Sequence, residues 1–259
     1  MSALLARLFD DAALFPPERA PMGDALPAYR AAVRNPAAGR LRCPASRFAE
    51  LRTHLIPEDL LDVVLVADTG IDELPKALDA VLAEPRVRPS AVEIAVPEDA
   101  DQARAAAVTL ARLPSDVPAR IEVRPSPGWR DALDRIAAAR DRGTPLGAAT
   151  ATVSAAFLSA CAERDLQFAC ADGADRAVSS PSGPGFLNVL LATAQAAAGE
   201  PGLHRTLERA DAVPLAADVQ SLPEDAARAA RRLLAAINVR NLDVLRLIGT
   251  PDTGKDMSP

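Results

Sequence analysis

The sequence predicts an α/β fold, a single (β/α)8 barrel of the TIM type, on three observations. Short β-branched runs alternate with longer Ala/Leu/Arg stretches of helical period, the pattern of successive βαβ units. The runs recur roughly every 20 to 30 residues, room for a strand, a crossover helix and the next strand. No Gly/Ser-rich linker divides the 259 residues into two composition regimes. One domain is therefore expected over residues 1–249, with 250–259 as a disordered tail. An open doubly wound parallel sheet is the alternative architecture.

The early strands are the least regular. Leu14 to Pro17 and Leu41 to Pro44 are the candidates, and their prolines confine them to short segments or strand ends. Val63 to Ala67, Ala91 to Val96, Arg120 to Val123, Pro145 to Ala149 and Gln167 to Ala171 are the five clearest runs. Helices are expected between them. Ile71 to Ala83 sets Leu74, Leu78 and Val81 on one face, with Asp72 and Glu73 in its first turn to complement the dipole. Ala100 to Leu113, Trp129 to Arg142, Ser154 to Arg164 and Phe186 to Ala198 repeat the pattern, with Gly143 and Gly199 at two of the stops. Ala212 to Ala217 is the candidate seventh strand, Ile237 to Val239 or a neighbouring segment the eighth, and Leu242 to Ile248 a closing helix.

Composition narrows the partners. A net charge of -6 with one Trp and one Tyr supplies neither a basic field nor stacking platforms, so nucleic acid is not expected. No apolar run approaches the roughly 18 residues of a membrane span, and Asp10 and Asp11 interrupt the apolar start that a secretory signal needs. Cys43, Cys161 and Cys170 have no zinc or disulfide spacing and read as free thiols of a reducing, cytoplasmic compartment.

In a parallel barrel, chemistry gathers at the C-terminal strand ends. Asp68 and Asp172 follow predicted strands, and Glu93 and Glu122 lie within them, so these four acids are the candidate catalytic groups. Arg124 shares a strand face with Glu122 and is the nearest counter-charge. Should Asp68, Glu93 and Glu122 converge, an all-oxygen set would suit Mg²⁺ or Mn²⁺, although their spacing carries no metal signature. The plainer reading is acids paired with nearby arginines. Asp10 and Asp11 precede the rigid Phe15-Pro16-Pro17 segment, and are either substrate contacts at a pocket mouth or turn residues satisfying local N–H groups. Ser182 and Gly183 belong to the loop Ser179 to Gly185 before the Phe186 helix, whose free N–H groups suit an anion; a plain connector would look the same. His54 and His204 read as surface residues, and Cys170 as a small buried hydrophobe.

Leu8-Phe9-Asp10-Asp11-Ala12-Ala13-Leu14-Phe15-Pro16-Pro17 resembles the opening of an uncharacterised family of actinobacterial proteins, and Gly185-Phe186-Leu187-Asn188-Val189-Leu190-Leu191-Ala192 resembles a later block of it. The likeness runs over most of the chain in the same order and implies no established activity. Members of that family carry a Lys-x-Arg-x-Gly-Gly strand, a Lys-x-Thr-Ala-Gly-Leu-His-His strand and a late Gly-Ser-Cys-Ser-Phe block. Of the corresponding stretches here, Leu146 to Ala151 lacks the Lys and Arg, Ala169 to Arg176 matches only at Gly173, and the late block is missing around Leu234 to Asn238. The resemblance thus implies a shared scaffold with different or absent chemistry.

Two functions follow. One is an enzyme working on a small polar metabolite at the barrel mouth, a lyase or isomerase. The other is a catalytically degenerate member that acts as a structural or regulatory partner of another protein or of a second copy.

Overall fold

The computed structural model describes residues 2–17, 19–170 and 175–247. Eight parallel strands close into one barrel in chain order: Phe9–Asp11 (β1), Ala38–Pro44 (β2), Leu61–Val66 (β3), Val87–Ala95 (β4), Ala119–Glu122 (β5), Leu146–Thr150 (β6), Phe168–Cys170 (β7) and Leu234–Val239 (β8). Closure is made by β8 on β1, where Ile237, Asn238 and Val239 pair with Phe9, Asp10 and Asp11. The expected TIM-type barrel is what forms, and the open sheet is not.

The helices begin with Ser2–Leu5 (α1), Met22–Ala32 (α2), Phe48–Thr53 (α3) and Leu74–Leu82 (α4). Gln102–Leu110 (α5), Trp129–Asp141 (α6), Ala155–Glu163 (α7) and Phe186–Ala197 (α8) follow. Leu203–Glu208 (α9), Ala212–Gln220 (α10), Glu224–Leu233 (α11) and Val244–Leu247 (α12) complete the set. Local chemistry sets their ends. Asp101 and Ser154 cap α5 and α7 by accepting the N–H groups of Arg104 and Phe157 at 2.9 and 3.2 Å. None of the described helices is long and apolar enough to cross a membrane.

Two expected strands are corrected. Leu14 to Pro17 is a loop, and the first strand lies earlier at Phe9–Asp11, where two consecutive aspartates masked it. Ala212 to Ala217 belongs to helix α10, whose buried Leu215 and Val219 are one turn apart. Among the described residues four helices, α8 to α11, thus separate β7 from β8. Ile237 to Val239 does lie in β8. The expected tail at 250–259 and the end of the closing helix at Ile248 fall outside the described residues.

Alternation along the strands separates two interiors. Val63, Leu65, Val92, Ile94, Ile121, Phe168 and Ile237 face the helices and join the main apolar core. Their neighbours face the barrel axis. The tilt of a (β/α)8 barrel advances the level by one residue at each strand. Stepping so from Arg42 through the pairing register gives Leu65, Glu93, Ile121, Ala149, Cys170, Asn238, Asp11 and Arg42 again. Alternate members line the axis. The upper tier is therefore Arg42, Glu93, Ala149 and Asn238. The same construction places Asp10, Val64, Arg120 and Ala169 in a middle tier, and Arg40, Ala91, Gly147 and Ala236 in a lower one. Ala149, Ala169 and Ala236 touch one another as a small apolar cluster separate from the main core.

Candidate active site

Barrel axes of this kind are ordinarily filled by branched aliphatic side chains. This one carries charge on β1, β2, β4 and β5, and only Gly or Ala on β6 and β7. The small side are what make room for the long one. Arg120 runs from β5 across the lumen to β1, where its Nη1 lies 3.7 Å from Asp10 Oδ2. At Gly147 a Cβ would stand 2.8 Å from the Gln167 carbonyl oxygen and within 3.9 Å of Arg120 Cγ, so even alanine is crowded there.

Asp10 is completely buried. Its Oδ1 accepts the Arg40 backbone N–H at 2.7 Å and lies 3.5 Å from Arg40 Nη1. Gly39 permits this approach, because a Cβ at that position would fall 2.3 Å from Oδ1. Burial pushes the Asp10 pKa up, opposed by Arg120, Arg40 and Arg42. Burial likewise pulls Arg120 down, opposed by the carboxylates of Asp10 and Glu93. Desolvation drives each partner towards neutrality, and the charge of the other opposes it. The 3.7 Å gap is beyond a hydrogen bond, and both Arg120 Nη1 and Asp10 Oδ2 lack a partner among the described residues.

In the upper tier Arg42 Nη2 donates to Glu93 Oε1, and both residues are buried. The guanidinium of Arg42 is covered by the ring of Phe15, 4.6 Å away, from the loop after β1. Phe15 thus belongs to the roof of the lumen. Four polar atoms of this tier have no hydrogen-bond partner among the described residues: Arg42 Nε, Glu93 Oε2, and both Oδ1 and Nδ2 of Asn238. Buried polar atoms are almost always satisfied by protein, water or ligand. The tier thus holds two buried donors and two buried acceptors with no hydrogen-bond partner among the described residues.

The remaining predicted residues separate. Glu122 stands above the lumen, paired in register with Ala149, with 14% of its side chain exposed and 3.9 Å from Arg124 Nη2. Arg124 binds Glu98 more closely, at 2.7 Å. The counter-charge of Glu93 is Arg42, not Arg124. Asp68 is exposed and turned away, held by the N–H and hydroxyl of Ser46. The three acids therefore do not converge, and no metal-binding group of three His, Cys, Asp or Glu exists among the described residues. Asp172 lies outside the described residues.

Asp11 faces the helices and accepts the Ala13 N–H at 2.8 Å, the turn role. Burial raises its pKa to about 6. Ser182 and Gly183 form a tight loop in which Ser180 and Gly183 exchange backbone hydrogen bonds, and the Gly183 φ of 128° suits glycine alone. Ser182 also lines a surface cleft of about 670 Å³ with Asp175 and Arg240. His54, His204 and Lys76 are all exposed, so neither an imidazole nor an amine reaches the lumen among the described residues. The three cysteines are buried, and burial pushes Cys43 to about 12 and Cys170 higher still.

Reasoning from sequence does not single out Arg40, Arg42, Arg120 or Asn238. A signal was present in Arg40-Leu41-Arg42-Cys43, where charge alternates with apolar residues in a strand that a barrel covers on both faces. The block around Asn188 proves structural. Its side chain accepts the Gly185 N–H at 3.0 Å and donates to the carbonyls of Thr206 and Arg209 at 2.8 and 2.9 Å.

Fold and lumen together define a (β/α)8 barrel with a buried polar axis. No protein-family model, curated protein or solved structure matches the chain.

Proposed function

We propose that the protein is an enzyme that takes a small polar metabolite through the C-terminal mouth of the barrel to the upper tier. The chemistry is proton transfer of the lyase or isomerase kind. One observation carries this reading: the four unpartnered polar atoms of Arg42, Glu93 and Asn238 in a single buried tier. Replacing a buried ion pair by apolar residues of like volume is often neutral or stabilising, so the fold gains little from keeping these charges.

Glu93 is the proton-transfer group, with Oε1 fixed by Arg42 and Oε2 open to a substrate proton. Asn238 orients the substrate, and Glu122 at the mouth is the second acid/base. The scarcity of lumen amines and imidazoles leaves the carboxylates to move protons. Three free, buried thiols fit a reducing cytoplasm.

The test is depletion of individual compounds from a mixture of small polar metabolites, followed by mass spectrometry, with the wild type beside Glu93→Gln and Glu122→Gln. Wild type should convert at least one compound, and Glu93→Gln should slow that conversion by roughly 10²-fold or more while remaining folded. A folded wild type that converts nothing would overturn the enzyme reading in favour of a non-catalytic partner role. Conversion unchanged in Glu93→Gln would remove the assigned base.

A further inference from the structure

Resting on that placement of the site, we infer that its ligand is a small carboxylic acid bearing a hydroxyl or other hydrogen-bond donor beside the carboxylate. Charge and hydrogen-bonding capacity lead to the same class. Across the three tiers three arginines stand with only two acids, Asp10 and Glu93; Arg42 and Arg120 are buried, and Arg40, with 24% of its side chain exposed, stands at the lower end. Arginines thus outnumber acids along the axis, and an anion entering the lumen meets a field that favours it.

The unpartnered atoms specify more than charge. Arg42 Nε and Asn238 Nδ2 are donors and call for acceptors; Glu93 Oε2 and Asn238 Oδ1 are acceptors and call for donors. A simple anion such as chloride or acetate answers the first pair only. A neutral amide or polyol answers hydrogen bonds without answering the charge. A carboxylate received by Arg42 Nε and Asn238 Nδ2, with an adjacent hydroxyl donating to Glu93 Oε2, answers both.

Size follows from the tier. The side chains of a tier meet at the barrel axis, and three are polar while the fourth, Ala149, contributes a single methyl group. Arg42 already lies under Phe15 and against Glu93. With only the Ala149 methyl group as the fourth member, the tier limits any ligand to few heavy atoms, below Glu122, which pairs with Ala149 in register.

The full chain is titrated at constant ionic strength with sodium glycolate and L-lactate, beside sodium acetate, sodium chloride and neutral lactamide. Binding is read by calorimetry and thermal shift. Glycolate or lactate should bind saturably, with lactamide and acetate at least about tenfold weaker, since charge-assisted bonds are the stronger ones. Arg42→Met should abolish the preference for the acid over the amide. Should that variant fail to fold, Asn238→Ala leaves the ion pair intact and should weaken hydroxy-acid binding by a similar factor. Equal binding of lactamide and lactate, unchanged binding in folded Asn238→Ala, or no binding by either hydroxy acid overturns the inference. The enzyme reading fails separately: tight lactate binding with no turnover of any metabolite defeats it alone, whereas turnover of a neutral compound defeats only the ligand class.

Discussion

The Arg42–Glu93 pair offers a decisive measurement, because its energetic sign distinguishes a lumen charged for function from one charged for stability. The perturbation is a cycle of Arg42→Met, Glu93→Leu and the double replacement. Arg42 and Glu93 are only 4% and 1% exposed, so either single variant strands a buried charge. Breaking such a pair costs roughly 3–5 kcal/mol. Glu93→Leu is the harsher change, since a guanidinium cannot shed its proton to escape. At about 2–4 °C per kcal/mol for a chain of this size, each single variant should melt roughly 6–20 °C lower. The double variant puts Met and Leu against Ala149 and Val64, removing both charges together. It should melt near the wild type or above it, by as much as roughly 1–4 kcal/mol. Thermal melting with urea denaturation reads all four proteins. A double variant that melts as low as either single variant would refute the reasoning. The pair would then be a net stabiliser of the barrel, and its presence would say nothing about chemistry.

Gly39→Ala should displace the Asp10 carboxylate, whose Oδ1 lies 2.3 Å from the new Cβ position, and cost about 1–3 kcal/mol in urea unfolding. Asn188→Ala should cost a comparable amount, about 1–3 kcal/mol, by leaving the Gly185 N–H without a partner and taking one of two donors from the carbonyls of Thr206 and Arg209; protease nicking between residues 176 and 210 would report the loosening. Asp11 has a folded pKa raised from 3.8 to about 6, so the stability tied to its protonated form is complete below about pH 4 and lost as pH rises to about 6. Asp11→Asn, which keeps an acceptor for Ala13, should remove that slope and gain roughly 2–3 kcal/mol at pH 7; an unchanged pH profile of melting would count against it. All three thiols should resist a disulfide reagent in the native protein and react together on unfolding, as buried thiols do.

The sequence by itself determined the alternation of strands and helices, and with it the barrel. β3 to β7 are legible because β-branched and small apolar residues cluster in them, and α6 because its apolar face and terminal Gly143 repeat a local rule. Those signals arise from interactions between residues near in sequence. β1 is hidden for the complementary reason: Asp10 and Asp11 read as a turn until a closed sheet gives Asp10 a buried lumen and three arginines. Helix α10 resembles a strand until the four-helix passage from β7 to β8 is traced. Glu93 and Glu122 are visible from sequence, because acids inside apolar strands stand out. Their partners are not. That Glu93 answers to Arg42, 51 positions away, and that Asn238 joins them in one tier, depends on strand register around the barrel. Only closure of the sheet fixes that register, because the advance from strand to strand must return each tier to its own starting residue.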